Sequence, residues 1–562
     1  MPDFNFVGAA YVAASLTQDA QDLVNMYPQV DSYLNTLSVV SPADRQVMAL
    51  YPRAGLTAVS QPGPSQPVRG LRVLPGASTL LAVVGSGLYS ITTAWMATLV
   101  GTLLTNNGPV SITDNGVSAY ISDGPNRYYY TYAAASYNGT IASTTLTVNS
   151  ISSGAVVVGQ TVVGSGVTSN TVVTASGLTN GSFTGTGGTG TYQVSISQSI
   201  GPEAMTQGTF TVLPSTDGGF QGANTVDVVD NFLIYNNPNS NQWGATSVLS
   251  PISPQLSVTS TFASPGQVVG LIADHRYVYI IQEYSGETWI DQGLFPFPFQ
   301  IVAGASWQHG CAARGSISRL GEGFAFLSKD KRGQGMVYMM NGYTPTRIST
   351  HAVETAILGY IRTSTIVDAV AFTYQENGHE FYMLTFPTAD ATWVYDATTQ
   401  LWHREGWRDN LNVLHRHRGN CVEVFAGNVI MGDYQNGIIY AVDPTNNTDN
   451  GVVFPCFRRA RHITTDLKRQ FFHDLQLQFQ PGVGLQTGQG SNPQAMLRWT
   501  DDGGFTWSQA RWAGIGQVGK YKNRCRWPRL SWSRDRIFEV TVTDPVYRVI
   551  VSANLNMSAG AH

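Results

Sequence analysis

At 562 residues, with 43% apolar side chains, the chain holds enough apolar material for a sizeable core spread over several domains or one large β unit. Only 12% of its residues are charged and the net charge is −4, about half the usual charged share, with Gly, Thr, Ser, Asn and aromatics filling the gap, which suits a β-rich structural protein. No apolar run reaches the roughly 18–20 residues of a membrane span, the opening MPDFNFVGAAYVAASL lacks the basic start of a secretory signal, and the scattered Cys311, Cys421, Cys456 and Cys525 show no C-x-x-C, so they read as free thilos of a reducing cytosol and not as a zinc ribbon.

Residues 1–67 read as an N-terminal arm and linker. Ser15 is positioned to cap a short helix over Thr17–Met26, which Tyr27-Pro28 ends. Tyr51 to Leu56 (YPRAGL) reads as a turn, and Gln61 to Pro67 as a Pro/Gly-rich linker. Hairpins follow over 68–132: LLAVVGSGLYSI turns at Gly85-Ser86-Gly87, and ISDGPNRYYYTY ends at Tyr132. Residues 133–213 are foreign in composition, with no charged residue between Arg127 and Glu203. Their alternating Val, Thr and Ser predict an inserted small β domain. Polar Gly/Ser tracts can also stay unfolded, and the valine content argues against that here.

The body resumes over 214–443. Hairpin figures recur in Val226–Ser247, Val268–Asp291, Phe324–Thr350 and Val422–Asp443, with one short helix predicted over His351–Ile361. The clearest stretch is Asp368–Trp407, where apolar runs are separated by Glu376-Asn377-Gly378, Thr388-Ala389-Asp390 and Ala397-Thr398-Thr399-Gln400. Such loops are too short for a crossover helix, so neighbouring strands are antiparallel and the stretch is a four-stranded meander. One meander cannot cover both faces; copies stacked about an axis can. The fold class predicted is all-β: an irregular β-propeller body (68–132 and 214–443) carrying the insert, then a sandwich-like region over 452–562. Ordinary hairpins in one or two sandwiches are the alternative for the body.

Few motifs carry chemistry. Gly185 to Gly190 matches G-x-G-x-x-G without the helix that would hold a pyrophosphate, and Gly514 to Tyr521 resembles a P-loop but ends in Tyr where magnesium binding needs Ser or Thr. Thr500 to Trp507 (TDDGGFTW) resembles the Asp-box hairpin of sialidase-type propellers, an architectural motif, and no carboxylate pair for glycoside chemistry stands out. His415, His417 and Cys421 approach one another if residues two apart share a strand face, but Arg416 and Arg418 oppose a cation; a polar strand end is the preferred reading, with no metal and no cofactor.

Charge is unevenly distributed. From Gly451 onward 15 Lys and Arg face 7 Asp and Glu, about +8, and the rest of the chain carries about −12. The basic part calls for an anion, an acidic neighbour or the acidic body of its own chain. Candidate contacts for DNA or an acidic partner are Arg458, Arg459, Arg461, Lys468 and Arg469, then Lys520, Lys522, Arg524 and Arg526, whose alternation on a strand would align them on one face for sequence-independent phosphate contact. A salt-bridged surface or subunit interface is the competing reading.

Several residues together resemble a known family. They are Tyr11, Ser15, Asp19-Ala20-Gln21, Asn25, Tyr27-Pro28 and Val68-Arg69-Gly70-Leu71 near the N-terminus. The stretch from Gly286 to Trp407 adds Gly293, Pro296-Phe297-Pro298, Gly310-Cys311, Arg332-Gly333-Gln334-Gly335, Asn341-Gly342-Tyr343, Arg347 to His351, Phe372-Thr373-Tyr374, Trp393 to Asp396 and Trp402-His403. Asp501 to Trp507 and Ser533 to Arg536 follow. In these the chain resembles the packaged-DNA stabilisation proteins of short-tailed bacteriophages, the tail hub or nozzle family. The resemblance covers most of the chain outside the insert. It implies a non-enzymatic virion tail protein, assembled in the host cytoplasm, forming a homo-oligomeric (hexameric) ring below the portal and adaptor, with tail fibre, spike or needle proteins as further partners. The ring's channel would hold double-stranded DNA and later pass it. The arm, through Tyr11, Gln21, Asn25 and Tyr27, is expected to dock on the upper ring or a neighbour. The alternative function is a propeller-based receptor- or glycan-binding tail protein.

Overall fold

The meander read from Asp368–Trp407 forms four antiparallel strands, Val370–Glu376, His379–Phe386, Ala391–Asp396 and Leu401–Arg404. Its first hairpin turns tightly at Asn377 (φ 50°) and Gly378 (φ 83°), left-handed positions that Asn and Gly adopt at low cost and that match the twist of the strands. The computed structural model describes residues 6–15, 18–30, 47–168, 171–262, 264–329, 333–411, 413–465 and 468–560. Thr17, the first residue of the expected helix, and Arg332 of the family-like motif lie outside them.

Six further sheets share this four-stranded antiparallel plan, so the described residues form a seven-bladed propeller. Blade 1 spans Val68 to Thr102, blade 3 Val226 to Ser260, blade 4 Val268 to Trp307, blade 5 Ser318 to Arg347 and blade 6 is the meander. Blade 7 has three local strands, Gly419–Phe425, Asn428–Asp433 and Ile439–Asp443; its fourth is Gly55–Ser60, antiparallel to the third with Leu56 opposite Val442. The ring is thus closed by a strand from the N-terminal region. The first strand of every blade faces a central cavity of about 770 Å³, lined among others by Leu71, Ile112, Asp227, Ile272, Arg319 and Thr373. Apolar side chains between adjacent blades form separate core clusters, for example Val229, Trp243 and Ile280 between blades 3 and 4.

Blade 2 explains the insert. Its inner strands are Ser111–Asp114 and Ser118–Ser122; its outer two are the ends of the long strands Arg127–Gly154 and Gly190–Val212. These continue outward as a hairpin, pairing Ala135 with Gln207 and, after register shifts, Val148 with Gly190. Thr161–Gly164 and Val173–Ala175 add to its Gly190–Val212 edge. Tyr137, Ile141, Leu146, Val162, Tyr192 and Met205 form a core of its own, so the charge-free stretch is folded, on valine, isoleucine and tyrosine burial. Between blades 2 and 3 the buried Arg127 donates to Tyr120 Oη (3.0 Å), Asp217 O (2.6 Å) and Phe220 O (2.7 Å) and stacks over Tyr235.

The C-terminal region is a sandwich of two sheets. One contains Gln470–Phe479, Ile550–Ala559 and Cys525–Pro528; the other Cys456–Arg459, Asp535–Val542, Gln494–Thr500 and Arg511–Gly514. The N-terminal region is built into both. Ala20–Val24 lies between Leu401–Arg404 of blade 6 and Cys456–Arg459, joining propeller and sandwich into one continuous sheet. Met26–Val30 and Val47–Pro52 extend the other sandwich sheet through Leu50 opposite Ile550.

The helix expected over Thr17–Met26 is therefore a strand. Its local sequence, AQDLV, suits a helix, but open strand edges on both sides satisfy its backbone groups, and tertiary context overrides a weak propensity. The second helix is present as His351–Thr363, capped by the Thr350 side chain accepting from Val353 N.

Candidate interaction surface

The four residues expected to dock the arm elsewhere serve this chain's own seam. Asn25, fully buried and in the left-handed region (φ 57°), donates to Pro455 O (2.8 Å) and accepts from Arg53 Nε (3.0 Å) and Gly406 N (2.9 Å). Tyr27 is buried against Phe381 and His379. Gln21 accepts from Arg458 through Oε1 (2.8 Å), and Tyr11 pairs with Gln21 in the backbone ladder. Asn25 and Tyr27 are enclosed by the fold and offer no surface to a neighbour.

The basic C-terminal residues separate into two groups. Arg458 is completely buried: Nε donates to Phe6 O (2.7 Å), Nη1 to Ala9 O (2.8 Å) and Nη2 to Gln21 Oε1. Burial lowers its pKa to about 10. It clamps the N-terminal segment and presents no surface. Arg459 pairs with Glu539 (2.9 Å), which also holds Arg498, while the Trp507 ring lies beside both guanidiniums. Arg526 is paired with Asp474 (3.0 Å), and Arg469 stacks on Trp532 (4.2 Å). The rows of cations therefore neutralise their own sandwich first. Arg461 and Lys468 remain exposed at its rim.

The alternation of Lys520, Lys522, Arg524 and Arg526 is not a strand face. Gly516 (φ 130°) and Gly519 (φ 76°) turn the backbone, and the strand begins only at Cys525. Lys520, Lys522 and Arg524 instead sit on an exposed loop with Tyr521, and among the described residues none of the three has an ion-pair partner. Trp512 (56% exposed) stands on the edge strand Arg511–Gly514 that this loop follows. An exposed cation group with aromatics nearby suits contact with a polyanion or an acidic protein face.

The remaining motifs are structural. Asp502 accepts from Phe505 N (3.0 Å), Thr506 N (2.9 Å) and Thr500 Oγ1 (2.6 Å), the last bond being foremost in holding its carboxyl well below the usual range, so TDDGGFTW is a turn lock. Gly185 to Gly190 and Gly514 to Tyr521 lie in loops followed by strands. His415 lies 2.6 Å from Asp390, whereas His417 is buried beside Glu405. They take different partners, and among the described residues no group of three or more ligating side chains is arranged around a metal-sized space. The four cysteines are free, three of them fully buried; burial pushes Cys311 up to about 11.

Sequence reasoning missed what holds the molecule together: a seam of buried charge where the N-terminal region, blades 6 and 7 and the sandwich meet. Arg53 donates to both oxygens of Asp449 (3.0 and 2.6 Å) and stacks 3.8 Å over Phe454. Glu376, Glu405, His403 and His417 are buried around it. The only sequence signal was charged and imidazole residues inside apolar strands.

Two family models match the chain: "Bacteriophage P22 Gp10, beta-propeller" over residues 206–447 and "Bacteriophage P22 Gp10, beta-sandwich" over residues 458–558. The molecule is thus a structural protein of a phage, all-β in both parts. It belongs to the tail nozzle and DNA-stabilisation family that includes P22 Gp10. Blade 1, the first three strands of blade 2 and nearly all of the insert precede the matched residues. No curated protein matches the chain. Among solved structures, the N-terminal domain of Nup159 aligns at 10% identity over 69% of this chain and 95% of that one, with a TM-score of 0.33, too slight a likeness to carry an argument.

Proposed function

We propose that copies of this chain form a ring in the phage tail, below the portal and adaptor, that closes the channel over packaged DNA and opens to pass it on ejection. In this reading the protein is assembled in the host cytoplasm, has no enzymatic activity, and also meets a fibre, spike or needle protein. The observation that carries the reading is the joint match of both halves to one DNA-stabilisation family. The rigid protomer supports it. The shared sheet through Ala20–Val24 ties propeller to sandwich, so each copy can act as a fixed wedge.

Light scattering on the purified protein, alone and with a portal–adaptor ring, tests assembly. A monomer that becomes a ring only on that partner is the expected result; a monomer indifferent to it would instead favour a receptor- or glycan-binding tail protein. Lys520, Lys522 and Arg524 are the proposed contacts to DNA or to an acidic partner face; Arg461 and Lys468, near the other end of the strand Gln470–Phe479, are further candidates. Reversing the first three to glutamate is expected to leave the fold intact, because they are exposed loop residues, and to cause early DNA loss or failed tail assembly. Particles carrying the triple variant with normal DNA content and infectivity would remove these residues from the proposal.

A further inference from the structure

At one mouth of the propeller channel, where the first strands of blades 1, 2, 5, 6 and 7 begin, lies a second cavity of about 460 Å³. Its walls are largely apolar, including Pro67, Pro109, Val367 and Pro387, yet Arg69, Arg314 and Arg416 all line it. A mostly apolar pocket of several hundred Å³ with a few fixed polar groups has the anatomy of a small-molecule site. Three guanidiniums in such surroundings need an explanation, because a buried cation is costly unless paired.

Their partners account for the charge only in part. Arg69 is held by neutral oxygens: Nε donates to Gly108 O (2.8 Å), Nη1 to Gly85 O (2.9 Å) and Thr105 O (2.8 Å), and Nη2 to Thr105 Oγ1 (2.8 Å). The nearest carboxylate, Asp123, stands behind Thr105, accepting its hydroxyl at 2.7 Å. Arg314 donates through Nη1 to Asn224 Oδ1 (3.1 Å), and Arg416 packs its guanidinium 3.7 Å over the Tyr434 ring. Among the described residues neither Arg314 nor Arg416 has an ion-pair partner. The carboxylate within the cavity, Asp368, uses Oδ2 to accept from Thr388 N (2.9 Å) and Oγ1 (2.6 Å). Burial, foremost in each case, lowers the pKa of all three arginines, consistent with desolvated cations lacking a full counter-charge.

We propose that this cavity binds a small organic oxyanion, a carboxylate or a phosphate monoester on an apolar stem, with Arg314 and Arg416 gripping the anionic group and Arg69 supplying fixed positive potential beneath. Guanidinium forks match planar carboxylate and phosphate oxygens, and the proline and valine walls take the stem. The inference is independent of whether the chain forms a ring.

Isothermal titration with benzoate, phenyl phosphate and the neutral benzamide tests it on the full chain. Saturable one-to-one binding of at least one of the two anions is expected, with benzamide at least about tenfold weaker, which corresponds to loss of the ionic contact. The better anion tells carboxylate from phosphate. Arg314→Gln and Arg416→Gln should each weaken that anion by about tenfold or more. Val367 is 64% exposed at the cavity wall, so Val367→Trp should fold and block the pocket even if an arginine variant does not fold. No saturable binding of either anion, equal binding of benzamide, or undiminished binding to Val367→Trp would overturn the proposal.

Discussion

Replacing Arg53 with alanine is expected to lower the free energy of unfolding by about 3–5 kcal/mol, the range for removing one partner of a buried ion pair. The side chains of Arg53 and Asp449 are each 2% exposed, and the guanidinium fork meets both carboxylate oxygens. The same guanidinium donates to Asn25 Oδ1 and Ala54 O, so alanine leaves a buried carboxylate, an amide oxygen and a carbonyl short of donors together. The position magnifies the effect. Arg53 lies between the sandwich strand Val47–Pro52 and the closing strand Gly55–Ser60, and Asp449 pairs in parallel with Leu56 of that closing strand. Denaturant titration checks the value, with the midpoint falling at unchanged slope. The double variant Arg53→Met/Asp449→Leu should recover much of the loss, because it removes the stranded charge as well as the bond. A loss below about 1 kcal/mol in the single variant would mean that the clamp is not what holds the ring shut.

This clamp also marks where sequence reading reached and where it stopped. Asp368–Trp407 was legible because strand residues and Asn-Gly-type turns sit next to one another, so each hairpin is specified locally. The helix at His351 was legible for the same reason, with its cap in sequence at Thr350. Closure of blade 7 by Gly55–Ser60 was not, since its pairing partner lies some 380 residues away and neither segment signals the other. The pairing of Ala20–Val24 with two distant strands was hidden likewise. The surface contacts were read from charge alone, which overlooked period: Cys456, Arg458 and Ala460 alternate, and both neighbours of that face are buried. Strand alternation therefore pointed Arg458 inward with them. For Lys520 to Arg526 the error ran the other way: alternation holds only in a strand, and residues 520–524 lie in turns and loop, the strand starting at Cys525.

Stability is expected to fall as pH rises from about 6.5 to 8, by roughly 1.5–2 kcal/mol, through a single carboxyl. Burial, and then the nearby Glu405 carboxylate, raise the Glu376 pKa to about 8 from an ordinary 4.5. Glu405 keeps the charge: burial opposes it, but the hydrogen bond with His403 and the field of Arg53 hold its pKa below the usual value. Glu376 therefore folds protonated, and between pH 4.5 and 8 the native state binds a proton that the unfolded chain releases. Stability from this group is fully present below about 4.5 and is lost as pH climbs through 8, at up to about 1.4 kcal/mol per pH unit. His417 works in the opposite sense. Burial, with Arg53 next, depresses its pKa to about 4 from 6.5, so it adds stability as pH rises across that interval and offsets much of the Glu376 slope there. Above 6.5 His417 is neutral in both states; His415, whose pKa the hydrogen bond with Asp390 raises, adds a loss of the same sign that is common to the wild type and a Glu376 variant. Glu376→Gln, which fixes the neutral form, should make the profile between pH 6.5 and 8 shallower and gain on the wild type steadily across it. Chemical denaturation of both proteins at four or five pH values in that window decides it. Parallel profiles would show that Glu376 carries its charge in the folded protein, and that the seam between propeller and sandwich holds both carboxylates ionised.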